Sequence, residues 1–139
     1  MARTTFTGPV ASKNGFISGH QVTTNNAINS NATATAAQVA TGYITSTSAS
    51  ATQIIMPTGT ALGNLIGAVK GTVLDLYVDN TAGASVVTMA VNTNAILSTA
   101  AADTAGSFGD LTIAAGATGL ARYTLMFSSP TAYVFTRTA

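Results

Sequence analysis

Hydrophobic side chains recur at every second position over residues 72–79 and again over residues 85–92. In the first run Leu74, Leu76 and Val78 stand against Asp75, Tyr77 and Asp79. In the second, Val87, Met89 and Val91 stand against Val86, Thr88 and Ala90. A period of two is the pattern of a strand with one face buried and the other in water or against a partner. Asn80 and Gly83, in the turn-rich segment between the runs, predict an antiparallel hairpin with a longer loop. The expected class is therefore all-β.

The rest of the chain is consistent with that class. Residues 38–45 and 51–56 are expected strands, the second stopped by Pro57. Residues 58–71 place Leu62, Leu65 and Ile66 on one helical face, but Gly59, Gly63, Gly67 and Gly71 punctuate the segment. Each glycine costs ~1 kcal/mol in a helix relative to Ala, so a loop with one helical turn is expected. Further strands are predicted at 95–99, 108–114, 120–128 and 131–138, with a connection at 100–106 and a turn at Ser129-Pro130. In residues 120–128, Ala121, Tyr123, Leu125 and Phe127 share one face; in the last strand Tyr133, Phe135 and Arg137 do. About eight short strands separated by turn residues predict a single jelly-roll-like β-sandwich.

The N-terminal part is different. Residues 1–30 carry isolated hydrophobes, Phe6, Val10, Phe16 and Ile17, between the turn signals Gly8-Pro9, Asn14-Gly15 and Gly19. No period runs through them. A polar, Asn- and Thr-rich stretch follows and is expected to be a linker or long loop. The predicted organisation is thus an extended N-terminal arm and polar linker over 1–36, then a β-sandwich body over 37–139.

Composition narrows the function classes. Charged residues make up 6% of the 139, against about 25% in an average soluble domain. The net charge is +1, and Glu, Cys and Trp are absent. A polar but uncharged surface is free of like-charge repulsion and associates readily. Such a chain fits a working life packed against copies of itself or a larger structure; a Ser/Thr-rich extracellular domain would share the composition. Arg3, Lys13, Lys70, Arg122 and Arg137 are scattered, so no basic footprint points to nucleic acid or an acidic membrane. Despite a mean hydropathy of +0.39, no apolar run reaches about 18 residues, and the N-terminus shows no secretory h-region. Synthesis in the cytoplasm is the default expectation.

Catalytic and metal chemistry find little material. The single histidine, His20, sits in the irregular arm, poorly placed to be held by a carboxylate and aimed at a serine. Asp75 and Asp79 share a strand face but lie about 13 Å apart, too far to share an ion. Asp79 and Asn80 are better read as shaping the turn. Residues 63–72 have the glycines, Lys70 and Thr72 of a phosphate loop, but Gly71 puts lysine and hydroxyl out of register. Asn31-Ala32-Thr33 is a formal glycosylation acceptor with no secretion signal to make it meaningful. Tyr77, Tyr123, Tyr133 and Phe135 could stack sugars or bases, though aromatics on strand faces more often pack a core. No enzyme activity, metal or cofactor is expected.

Three stretches resemble small virion proteins of tailed bacteriophages. They are Arg3-Thr4-Thr5-Phe6-Thr7-Gly8-Pro9-Val10 with Ser12 and Asn14-Gly15-Phe16; Tyr77-Val78-Asp79-Asn80-Thr81-Ala82-Gly83; and parts of residues 111–137, including Ala132-Tyr133-Val134-Phe135. The family they resemble is that of capsid decoration, or cement, proteins. The resemblance implies a β-rich body, often a jelly roll and often a homotrimer, on the outer capsid surface. It also implies an N-terminal arm touching the major capsid protein. Arg3, Phe6, Val10, Phe16 and Ile17 are the capsid-contact residues expected on that basis. The alternative is a receptor- or glycan-binding module of a phage tail or fibre, with recognition carried by loops at one end of the sandwich.

Overall fold

The computed structural model describes residues 26–97 and 111–139. Among these residues 42% are in strands and 16% in helices, and the strands form two sheets, so the fold is mainly β. In chain order the strands are β1 (Ala32–Thr33), β2 (Tyr43–Thr45), β3 (Thr52–Ile55), β4 (Val73–Asp79), β5 (Val87–Ala90), β6 (Ala95–Leu97), β7 (Thr112–Ile113), β8 (Leu120–Ser129) and β9 (Ala132–Arg137). Helix α1 (Ala36–Ala40) precedes β2, and α2 (Gly59–Ile66) links β3 to β4. One sheet has the order β1-β3-β5-β7 and the other β2-β4-β8-β9-β6. Their ladders are mixed: β1/β3, β3/β5, β2/β4 and β6/β9 are parallel, while β4/β8, β5/β7 and β8/β9 are antiparallel. A jelly roll is built from antiparallel ladders.

The alternation read from the sequence fixes which side chains face inward. Leu76 and Val78 of β4, Ala121, Tyr123, Leu125 and Phe127 of β8, and Tyr133 and Phe135 of β9 are all buried. They meet Ile54, Val87, Met89 and Ile113 of the four-stranded sheet in one core. Four of its aromatics form a chain of contacts: Phe127–Tyr133 at 5.3 Å and Tyr133–Phe135 at 6.3 Å, both tilted, and Tyr123–Phe135 at 6.2 Å, edge to face. Each such ring contributes roughly 1.5–3 kcal/mol by burial. Tyr133 donates its hydroxyl to the Pro57 carbonyl at 2.7 Å, and burial pushes its phenol pKa up. The packing role of Tyr123, Tyr133 and Phe135 therefore excludes them from any stacking surface.

The expected hairpin between residues 72–79 and 85–92 does not form. β4 pairs with β2 and β8, whereas β5 lies in the other sheet between β3 and β7. The intervening residues carry the chain from one sheet to the other, and Asn80 is the reason. Its side chain is fully buried, and Nδ2 donates to the carbonyls of Ser85 (2.9 Å), Ala114 (2.9 Å) and Ile113 (3.4 Å). Its backbone N–H donates to the Gly119 carbonyl at 2.7 Å. Gly83 lies against Asn80 so closely that a Cβ there would overlap the Asn80 amide oxygen. Asp79 closes the corner by accepting from the Thr81 amide at 2.9 Å and hydroxyl at 2.6 Å.

Two helical segments also replace expected structure. Residues 38–45, expected as a strand, divide into the end of α1 and then β2. Thr35 and Gln38 form a capping box: Gln38 N–H donates to Thr35 Oγ1 (3.1 Å) and Thr35 N–H to Gln38 Oε1 (2.9 Å). Helix α2 is longer than the single turn expected of residues 58–71. Thr58 caps it, with Ala61 N–H donating to Thr58 Oγ1 at 3.2 Å, and Gly67 ends it in the left-handed conformation. Its glycines serve a close approach rather than flexibility. A Cβ at Gly63 would overlap the Pro130 carbonyl, and one at Gly59 those of Thr131 and Asn94.

Part of the expected linker is built into the body. Ile28 and Ala34 are buried, β1 pairs with β3, and Ala27 bridges Thr45. Asn26 Nδ2 donates to Gln38 O (3.1 Å), Thr41 Oγ1 (3.0 Å) and Tyr43 O (2.6 Å). The body therefore includes residues from Asn26 onward, not from 37. The arm itself lies outside the described residues, as do the predicted connection at 100–106 and the start of the strand expected at 108–114.

Two stability measurements test this account. Asn80→Ala should cost about 1–3 kcal/mol by denaturant titration, and Asn80→Asp more, because a carboxylate would face three carbonyl oxygens. Gly63→Ala should also destabilise, although helix propensity alone favours Ala by ~1 kcal/mol. A stabilised Gly63→Ala would show that α2 does not rest on the β8–β9 turn.

Candidate functional site

The outward positions of the five-stranded sheet make up the candidate surface. Of the nine exposed large hydrophobic residues among the described ones, six lie on this face: Tyr43, Val73, Tyr77, Ile96, Leu120 and Met126. The strand registers arrange them in rows. One row crosses four strands as Val73, Met126, Val134 and Ile96, with Val73, Met126 and Ile96 each more than half exposed. Two residues along the strands lies a polar row, Asp75, Thr124 and Thr136. The next row is Tyr43, Tyr77 and Arg122, and beyond it Thr45, Asp79 and Leu120.

The few charges on this face are tied down by hydroxyls. Thr124 donates to Asp75 Oδ1 at 2.6 Å, and Thr124 Oγ1 lies 3.4 Å from Thr138 Oγ1. Arg122 Nε donates to the same Thr138 Oγ1 at 3.0 Å. Asp75 and Arg122 are thus joined through two threonines. Near the edge, Tyr43 donates its hydroxyl to Asp79 Oδ2 at 2.7 Å. Hydrogen bonds from the Thr81 hydroxyl and amide, then from Tyr43, hold the Asp79 carboxyl below its ordinary pKa. The same contact, with some burial and the nearby carboxylate charge, pushes the Tyr43 phenol up. With both Asp79 oxygens engaged inside the chain, Asp79 and Asn80 act as turn-shaping residues. Arg137 leaves this sheet to reach the other, donating from Nη1 to the Thr112 carbonyl at 2.9 Å.

The opposite sheet has a different outer surface. Gln53, Ile55, Thr88, Ala90 and Thr112 alternate with its buried residues and carry no charge. Among the described residues no group of three or more His, Cys, Asp or Glu could hold a metal ion. No helix among them is long and apolar enough to cross a membrane. The expected capsid-contact residues Arg3, Phe6, Val10, Phe16 and Ile17 lie outside the described residues, as does His20. The apolar row was missed in the sequence because it emerges only when β4, β8, β9 and β6 are placed in register. The available signal was parity: Val73, Met126 and Val134 alternate with Leu74, Leu125 and Tyr133 along their strands.

What fold and surface define together is a mainly β, two-sheet body with one mixed apolar and hydroxyl-rich face. Comparison with protein-family models, curated proteins and solved structures finds no match to this chain.

The Asp79 contacts are testable by pH. A carboxylate whose folded pKa is lowered contributes stability above its ordinary pKa, ~3.9. That contribution is lost as pH falls through the lowered folded value. Thr81→Ala should raise the Asp79 pKa, observed by NMR titration of the carboxyl carbon, and Tyr43→Phe should raise it by less. An unchanged Asp79 titration in both variants would contradict the geometry.

Proposed function

We propose that this chain is a structural protein of the bacteriophage virion that decorates and stabilises the outer capsid surface. The observation that carries the reading is the gathering of exposed apolar side chains on one sheet face of an almost uncharged body. Monomeric proteins seldom expose a contiguous apolar patch beyond a few hundred Å2 without a binding role. The short motifs at residues 3–16, 77–83 and 111–137 supply the family direction. In this reading the chain is not an enzyme and uses no cofactor. Its partners are the major capsid protein and further copies of itself, the resemblance implying a homotrimer. It is made in the host cytoplasm and ends on the virion. The jelly-roll form of the sandwich remains part of the resemblance, and the function needs only a two-sheet body with a sticky face.

The arm before about Gly19 completes the proposal. Phe6, Val10, Phe16 and Ile17 would enter grooves of the coat protein or add a strand to it, with Arg3 alongside. Repetition around an oligomer then multiplies weak contacts through effective concentration.

Deleting residues 1–18 tests this directly, because the described body begins at Asn26, well after the cut. The truncated chain should melt within a degree or two of the intact one, while its binding to undecorated capsids falls steeply. Phe6→Ala with Phe16→Ala should reproduce most of that loss. Labelling intact virions gives the second readout: many copies over the capsid support decoration, whereas a few copies at the tail support the receptor- or glycan-binding alternative. Undiminished coating by the truncated chain would refute the arm's role.

A further inference from the structure

We propose that two copies of this chain associate face to face through the outer surface of the five-stranded sheet, with β4 of each over β8 of the other. This deepens the reading of the chain as one that assembles with itself, and rests on that part of it.

Charge selects the occupant and the pairing. Strand β4 carries Asp75 and Asp79 and no cation, whereas β8 carries Arg122 and no acid. Laying β4 on β4 would set four carboxylates together, and laying β8 on β8 would oppose two guanidinium groups. Only β4 over β8 brings opposite charges into proximity. The outer face of the other sheet has no charged residue, so within the described body this face is its own electrostatic complement.

A two-fold axis running along the strands between β4 and β8 satisfies that choice twice over. It keeps each row opposite the same row of the partner. Val73 then meets the partner's Met126, and Tyr77 meets the partner's Arg122, where a guanidinium over a tyrosine face is attractive. Asp75 meets the partner's Thr124 and Asp79 the partner's Leu120, so each carboxylate lies one row from the partner's Arg122. The interface is isologous, each contact occurring twice. A pairing of this kind has two-fold symmetry, in place of the three-fold symmetry that the family resemblance implies.

The chain has no cysteine, so single-cysteine variants report the pairing cleanly. Facing sheets lie ~10 Å apart, beyond disulfide reach, so the probe is a short bis-maleimide. In the full chain, a mixture of Tyr43→Cys and Thr138→Cys, which face each other under this axis while like positions lie three strands apart, should cross-link mainly as one of each. Either variant alone should give little product. Light scattering of the unmodified chain should report twice 13.8 kDa, and Met126→Lys should return it to 13.8 kDa. Equal cross-linking in all three samples, or undiminished association of Met126→Lys, overturns the inference.

Capsid binding measured in parallel separates this from the decoration reading. A chain that pairs but does not coat capsids overturns decoration and supports the pairing. A chain that coats capsids as a monomer overturns the pairing alone. If that monomer loses coating on Met126→Lys, the face belongs to the coat protein.

Discussion

The buried amide of Asn80 is the contact on which the two-sheet arrangement depends. A chain leaving β4 on one sheet must reach β5 on the other, and the crossing strips its backbone of ladder partners. A buried carbonyl without a donor costs as much as a lost hydrogen bond, or more. Asn80 answers this by presenting its amide hydrogens to Ser85 and to the adjacent Ile113 and Ala114, which belong to two separate places in the sandwich. The 3-10 turn at Gly116–Thr118 and the start of β8 then close around it, through the Asn80 N–H bond to Gly119.

The same device recurs wherever backbone pairing is interrupted. Asn26 bonds Gln38, Thr41 and Tyr43; Asn92 Nδ2 donates to Met56 O at 2.8 Å. Thr47 N–H donates to Asn29 Oδ1 and Gln53 N–H to Asn31 Oδ1, each at 2.8 Å. A chain almost without charge thus uses neutral amides and hydroxyls as its structural polar groups. They need no counter-ion, and burying them once bonded avoids the desolvation cost that a buried ion pair carries.

This explains which parts of the fold were legible. Burial in β4, β5, β8 and β9 followed from period-two alternation, because each strand has one face in the core. Alternation says nothing of the strand next door, so the hairpin expected around Asn80 and Gly83 was a local answer to a long-range question. The Asn-rich segment looked like low complexity because its order comes from side-chain bonds to residues 12–22 positions away. The capping box of Thr35 and Gln38 was present in the sequence and marked a helix where a strand was expected. In α2 the glycines lowered the expectation of a helix, yet they are what lets it pack against the Pro130 and Thr131 carbonyls.

The outer face of the five-stranded sheet follows the same economy as the interior. A surface that is to be covered by a protein partner must give up water from every polar atom on it, and each atom left unbonded raises the cost. Here Asp75 is already bonded by Thr124, Arg122 by Thr138, and Asp79 by Thr81 and Tyr43. Covering such a face removes fewer hydrogen bonds to water than covering the same residues unbonded. The apolar row beside them supplies the gain, since Val73, Met126 and Ile96 have surface still to bury. A face that ties its charged groups to neighbouring hydroxyls and leaves its hydrophobes outside is suited to association, with little charge for salt or pH to act upon.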